Sequence, residues 1–203
     1  MPFRIPPTRT DIAVANAVAE YTSRRTERAA ELLTWGADEH VLLALAAGWW
    51  LYCRGRPPCA RRNSDHILLT TLVVSVVPHL LKSIFDQRRQ DRLTVRGHLH
   101  GVPLSGRPLD AFPSGHAMHV GAMVSAATVL PLAKRNVVWT FGAGLVLTRI
   151  VLLAHWASDV VVGLALGALA ERLLRPHTGY GARRRDKKPS AYEGRGRIIG
   201  RFT

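Results

Sequence analysis

Five blocks of mostly apolar residues run along this chain, at about 37–53, 66–85, 117–132, 137–153 and 157–174, each set off by a charged or turn-rich connection. Within a block the apolar positions are nearly continuous rather than alternating, which reads as helix that is buried or faces lipid. At 1.5 Å of rise per residue, blocks of 16–20 residues span about 24–30 Å, close to the thickness of a bilayer core. Trp49, Trp50 and Tyr52 end the first block as an aromatic belt. Pro78 lies inside the second, where a membrane helix tolerates it if neighbours satisfy the freed carbonyl. Gly163 and Gly167 in the fifth are four apart, a spacing of small residues that admits a close neighbour helix.

Residues 11–35 have a different pattern. Ile12, Val14, Val18, Leu32 and Leu33 share this predicted helix with Glu20, Arg24, Arg25, Arg28 and Glu31, too many charges for a bilayer crossing. It is expected to lie as an amphipathic helix at the membrane surface. The connection at 54–62 is basic, Lys134-Arg135-Asn136 is expected as a tight connection, and 87–111 is a polar loop long enough to fold over a site. Basic tails at 1–10 and 175–203 are expected to be disordered, leaving one domain at 11–174. The expected fold is all-α: an integral membrane helical bundle of about five transmembrane helices, six if the N-terminal helix also crosses, plus that amphipathic helix.

Composition sharpens this picture. The chain has 203 residues, a formal net charge of +14 and 47% hydrophobic residues, which suits a single membrane-embedded domain better than a soluble one. So basic a chain raises nucleic acid as a partner, but its cations sit in tails and connections rather than along one surface, so no nucleic acid is expected. The bilayer is the expected partner, and nothing in the sequence sets the oligomeric state.

Three polar groups interrupt the apolar pattern. Arg149, His155 and Asp159 lie in the stretch TRIVLLAHWASD. If His155 and Asp159 share a helix, their i,i+4 spacing places both on one face, so the carboxylate can hold one imidazole nitrogen while the other attacks. Arg149 offers a planar fork of donors suited to phosphoryl oxygens. Alone, this stretch is equally a polar patch at the end of a membrane helix. Lys82 and Arg89 form a second cationic pair, seven apart. Phe112-Pro113-Ser114-Gly115-His116 precedes another apolar block, with Ser114 as the expected N-cap and free backbone N–H groups ahead of the helix, where anions bind.

The order of these groups resembles the signature of the type 2 phosphatidic acid phosphatase superfamily. The resemblance covers residues 82–159 and implies a membrane phosphatase domain at 11–174. It implies that Lys82, Arg89, Ser114, the Gly115 amide and Arg149 bind phosphate, that His116 protonates the leaving group, and that His155 is the nucleophile oriented by Asp159. Gln90 stands where the family usually has proline and Thr148 where it usually has serine; neither change removes a group the chemistry requires. The expected activity is hydrolysis of a phosphorylated lipid or polyprenyl diphosphate through a phosphohistidine. A lipid phosphotransferase of the same family and a non-catalytic membrane protein retaining the fold are the alternatives.

No metal and no cofactor are expected: His98 and His100 form an H-x-H pair without further ligands, and no acidic cluster has a metal-binding arrangement. His79 is expected to pack against a neighbouring helix, and His119 to point toward the site. Five crossings put 16 of the 28 Lys and Arg residues, counting Arg172 at the end of the fifth block, on the side opposite the three motifs. By the positive-inside rule that side is cytoplasmic, so the expected location is the bacterial inner (cell) membrane with the site facing the periplasm or outer surface.

Overall fold

Capping residues decide where this chain turns helical. The computed structural model describes residues 3–88 and 109–182. Thr8 and Asp11 form a capping box, in which Thr8 Oγ1 accepts the Asp11 N–H and Asp11 accepts the Thr8 N–H, starting α1 (Arg9–Tyr21). Ser23 then accepts the Thr26 N–H and starts α2 (Arg24–Thr34). The single helix expected over 11–35 is therefore two, because Thr22 and Ser23 adopt extended backbone and Ser23 caps anew. After a 3₁₀ turn at Trp35–Ala37, Asp38 accepts the N–H groups of His40 and Val41 and starts α3 (Glu39–Cys53).

Further differences concern boundaries. α4 (Pro58–Ile84) opens with proline at its first turn, so the second half of the basic connection is helical. Asp65 there receives the Trp50 indole N–H at 2.8 Å, fastening α4 to the end of α3. α5 (Gly115–Ala126) starts at Ser114 and passes into a 3₁₀ turn at Ala127–Val129, shorter than the expected third crossing. α6 (Leu132–Val151) begins directly after Pro131, so Lys134, Arg135 and Asn136 occupy its first turns rather than a connection. α7 (Ala157–Thr178) ends on Gly179 at φ +67, a left-handed cap that glycine adopts without strain. The N-terminal stretch expected as a disordered tail contains β1 (Phe3–Arg4), which pairs in parallel with β2 (Phe85–Asp86).

The bundle is centred on the contact of α5 with α7. A Cβ on Gly163 would lie 2.6 Å from the Ser114 carbonyl oxygen and 2.9 Å from the Ala117 side chain. A Cβ on Gly167 would overlap the Met118 carbonyl, so the small-residue spacing read from the sequence is what lets these backbones touch. Val74, Met118 and Ala122 form the apolar layer between α4 and α5. Among the described residues one helix, α4, is long and apolar enough to cross a membrane, and only 22% of that apolar stretch is buried inside the protein.

The end of α7 carries a buried polar network that the domain boundary at 174 had cut through. Glu171 accepts from Arg175 Nε at 2.9 Å and Nη2 at 2.7 Å, and from Ser125 Oγ at 2.6 Å. His66 Nε2 lies 3.1 Å from its other side, and the His66 ring stacks on Tyr180 with centroids 4.2 Å apart. Glu171 and His66 are both 0% exposed, so α4, α5 and α7 are joined here by groups that satisfy one another. The helix accordingly continues past Arg175, to Thr178.

Candidate active site

The polar groups singled out in the sequence gather at the other end of α7. Arg149 lies in the last turn of α6, and the chain reverses through residues 152–156 before α7 begins. Ala154 N–H bonds to the Arg149 carbonyl and Leu153 N–H to that of Ile150, the paired bonds of a Schellman turn. The left-handed position of this turn is held by Leu153 at φ +50 rather than by glycine, a conformation that costs a bulky L-residue about 1 kcal/mol or more. It persists because the Leu153 side chain is buried against Ala15, Ala111 and Trp156.

His155 follows, and it stands before α7 rather than on it. The expected i,i+4 pairing with Asp159 on one helical face is therefore replaced by a different arrangement. His155 Nδ1 is 2.7 Å from the Ala111 carbonyl oxygen and 3.9 Å from Asp159 Oδ2. That Asp159 oxygen accepts the Trp156 N–H at 3.0 Å, fixing the backbone beside His155 as the helix starts. Both side chains are buried, at 3% and 0% exposure.

The Pro-Ser-Gly-His segment is tied to the same place. Ser114 N–H bonds to the Asp159 carbonyl at 3.4 Å, and Ser114 Oγ accepts the Ala117 N–H as N-cap of α5. Gly115 and His116 are the first residues of that helix and remain partly exposed. His116 lies within electrostatic reach of Arg149 and Lys82. Lys82, in the last turn of α4, has its Nζ 3.9 Å from Asp110. Gln87 and Asp110 form a parallel bridge, and the Phe85 and Phe112 rings meet edge to face at 5.7 Å, bringing the end of α4 beside this segment.

The described members of all three groups thus converge: Lys82, Ser114, Gly115, His116, Arg149, His155 and Asp159. Arg89, Gln90, His98 and His100 lie outside the described residues. His119 is buried with Nε2 3.4 Å from Ser75 Oγ, whereas His79 is exposed with Nε2 3.4 Å from Glu39. Among the described residues no three His, Cys, Asp or Glu side chains come together as a metal-holding group.

Residues that the sequence reading passed over also build the site. Thr34 accepts from Arg149 Nη1 at 2.9 Å. Asp11 accepts the N–H and the Oγ–H of Ser158, each at 2.9 Å. Burial alone raises the Asp11 carboxyl, but the hydrogen bonds from Ser158 and Thr8 outweigh it and hold the group below its ordinary 3.8, ionised at neutral pH. No local signal revealed these contacts, because each spans more than a hundred residues of chain.

The region from 66 to 180 matches the PAP2 superfamily. Two relatives, each named lipid A 1-phosphatase, align with the chain. The protein of Rhizobium johnstonii is 33% identical over 104 residues, 51% of this chain and 43% of the relative. That of Rhizobium etli is 36% identical over 102 residues, 49% of this chain and 44% of the relative. The match therefore spans less than half the length of these relatives. Among solved structures, LpxE of Aquifex aeolicus superposes with a TM-score of 0.61 at 15% identity, covering 82% of this chain and 94% of that one. A PAP2-type phosphatidylglycerolphosphate phosphatase of Bacillus subtilis gives 0.56 at 23% identity, covering 86% and 87%. At these identities the two likenesses speak for the fold.

Proposed function

Because this chain belongs to the PAP2 superfamily, we propose that it is a membrane lipid phosphatase that hydrolyses a phosphorylated lipid through a phosphohistidine on His155. The observation that carries this reading is the His155 Nδ1 contact with the Ala111 carbonyl at 2.7 Å. A carbonyl accepts only, so Nδ1 holds the proton and Nε2 presents its lone pair as the nucleophile.

The chemistry follows from charge. A phosphomonoester repels a nucleophile through its own oxygens, so catalysis depends on fixed cations and donors around phosphorus. Lys82 and Arg149 supply positive charge, Arg89 adds a third cation by its place in the sequence, and the Gly115 N–H opens α5 where an anion is favoured. His155 Nε2 attacks phosphorus as the bond to the lipid oxygen breaks, and His116 gives that oxygen a proton. Asp159, near the imidazole, offsets the positive charge that develops on it. Water then attacks the phosphohistidine, releasing phosphate and restoring the neutral ring.

Exposed apolar side chains support a bilayer setting. Leu69, Leu72, Val76 and Leu80 on α4, Phe141 and Leu147 on α6, and Val161, Leu169 and Leu173 on α7 are all exposed, as helices that face lipid require. We place the five helices α3 to α7 in the bilayer with the site at the periplasmic or outer surface and α1 and α2 at that interface. The relatives' name makes the 1-phosphate of lipid A the first substrate to try. The test is phosphate release by detergent-purified protein, with a chelator present, from lipid A, phosphatidate, phosphatidylglycerophosphate and a polyprenyl diphosphate, beside His155→Ala. Release from one lipid that disappears in the variant supports the reading; no release from any of them by folded protein counts against it.

A further inference from the structure

The N-terminal helices lie outside the 66–180 region that matches the family, yet they grip the segment carrying Arg149 and His155 from two sides. On one side, Asp11 of α1 accepts both hydrogen-bonding groups of Ser158 at 2.9 Å, and Ala15 one turn later is buried against Ala111, Leu153 and Trp156. On the other, Thr34 at the end of α2 meets Arg149 Nη1 at 2.9 Å, and Ala30 is buried against Leu152 and Ala154. Ala111 is the residue whose carbonyl holds His155, so the wall formed by Ala15 supports the acceptor of that hydrogen bond together with Leu153 and Trp156, which flank His155 in the chain.

This segment needs an external support. Its Schellman turn places Leu153 in a left-handed conformation that a branched side chain disfavours, and such a conformation persists where surrounding contacts over-determine it. Asp11 also takes a first-turn N–H of α7 that has no partner within the helix, which fixes where α7 begins relative to His155.

We propose that α1 and α2 form a positioning brace for the nucleophile, with Asp11 as its central residue: by holding Ser158 and the Ala111–Leu153–Trp156 layer it aims His155 Nε2 at phosphorus. The inference rests on the assignment of His155 as nucleophile. Asp11 is buried and spends its carboxylate on Thr8 and Ser158, so its effect belongs to orientation, where a displacement of about 1 Å costs on the order of a hundredfold in rate.

The experiment compares Asp11→Ala, Asp11→Asn and Ser158→Ala in the full chain. Kinetics on the best lipid of the panel are expected to show kcat reduced at least tenfold in Asp11→Ala with KM within twofold. Asp11→Asn keeps an oxygen to accept the Ser158 N–H and is expected to recover most of the rate. Hydrogen exchange supplies a readout independent of turnover: amides of residues 149–160 are expected to exchange at least tenfold faster in Asp11→Ala, with α4 and α5 unchanged. If Asp11→Ala does not fold, Ser158→Ala, which loses only the hydroxyl bond, carries the same comparison with a smaller effect. Unchanged exchange in the segment, or unchanged kcat beside an active wild type, overturns the brace. An inactive wild type instead overturns the phosphatase reading, and the exchange comparison still decides the brace.

Discussion

His155 and Ala111, 44 residues apart, meet in a hydrogen bond of 2.7 Å between the imidazole Nδ1 and a backbone carbonyl. Because the partner is backbone, no side-chain pattern announces it, and because it can only accept, it sets the tautomer of the ring. The spacing of the sequence had given that role to Asp159 alone. The carboxylate stands 3.9 Å away and holds the Trp156 N–H instead, so it acts on His155 through charge and through the backbone.

Asp159→Asn is therefore expected to fold, since the amide oxygen can still accept from Trp156, but to lose charge stabilisation of the imidazolium. A unit charge near 4 Å from another is worth roughly 4 kcal/mol at an effective dielectric of about 20, so kcat is expected to fall by about 10² to 10³. Steady-state phosphate release measures this. A variant as active as wild type would remove Asp159 from the mechanism.

His116 is assigned to the leaving group. His116→Ala is expected to slow hydrolysis of a lipid phosphate by about 10² to 10⁴ while sparing an activated aryl phosphate, whose phenolate departs without a proton. The ratio of the two rates in one preparation is the measurement, and equal losses on both substrates contradict general-acid work.

Gly167 lies where α7 touches the backbone of α5. Gly167→Ala places a methyl group against the Met118 carbonyl with no flexible side chain to yield, and overpacking of this kind costs about 1–3 kcal/mol. Thermal unfolding in detergent is expected to show a midpoint lowered by several degrees. An unaltered midpoint would mean that the helices can separate freely at this point.

Glu171 concerns the opposite end of the bundle. Glu171→Gln leaves the Arg175 guanidinium without its carboxylate among buried groups, a loss of about 3 kcal/mol given that Arg175 is 25% exposed. The site is about 21 Å away along α7, so folded variant is expected to keep its kcat. Thermal unfolding and steady-state turnover on one sample separate the two effects, and a strong loss of kcat in folded protein would contradict this division.

What could be read ahead of the structure divides by the range of the cause. The apolar blocks, the Ser114 cap and the Gly163–Gly167 contact follow from neighbours a few residues apart, and each was legible. The break at Ser23 and the early starts of α4 and α6 were not, because Ser23, Pro57-Pro58 and Pro131 start helices inside stretches whose charge suggested other elements. The motif residues were named by type and spacing, yet their supports, Ala111, Asp11 and Thr34, come from segments 44 to 147 residues away. Arg175, read as the start of a tail, was misjudged because its partner Glu171 looks like one more charge at a helix end until Ser125 and His66 close around it.

The most direct measurement of the central claim is rapid quench of the wild-type protein and His155→Ala with lipid A labelled with ³²P at its 1-phosphate, followed by mapping of protein-bound label. The account predicts acid-labile, base-stable label on the peptide containing His155, formed and lost at rates that match turnover, and none in the variant. Steady phosphate release from His155→Ala, or label on a different residue, would contradict it.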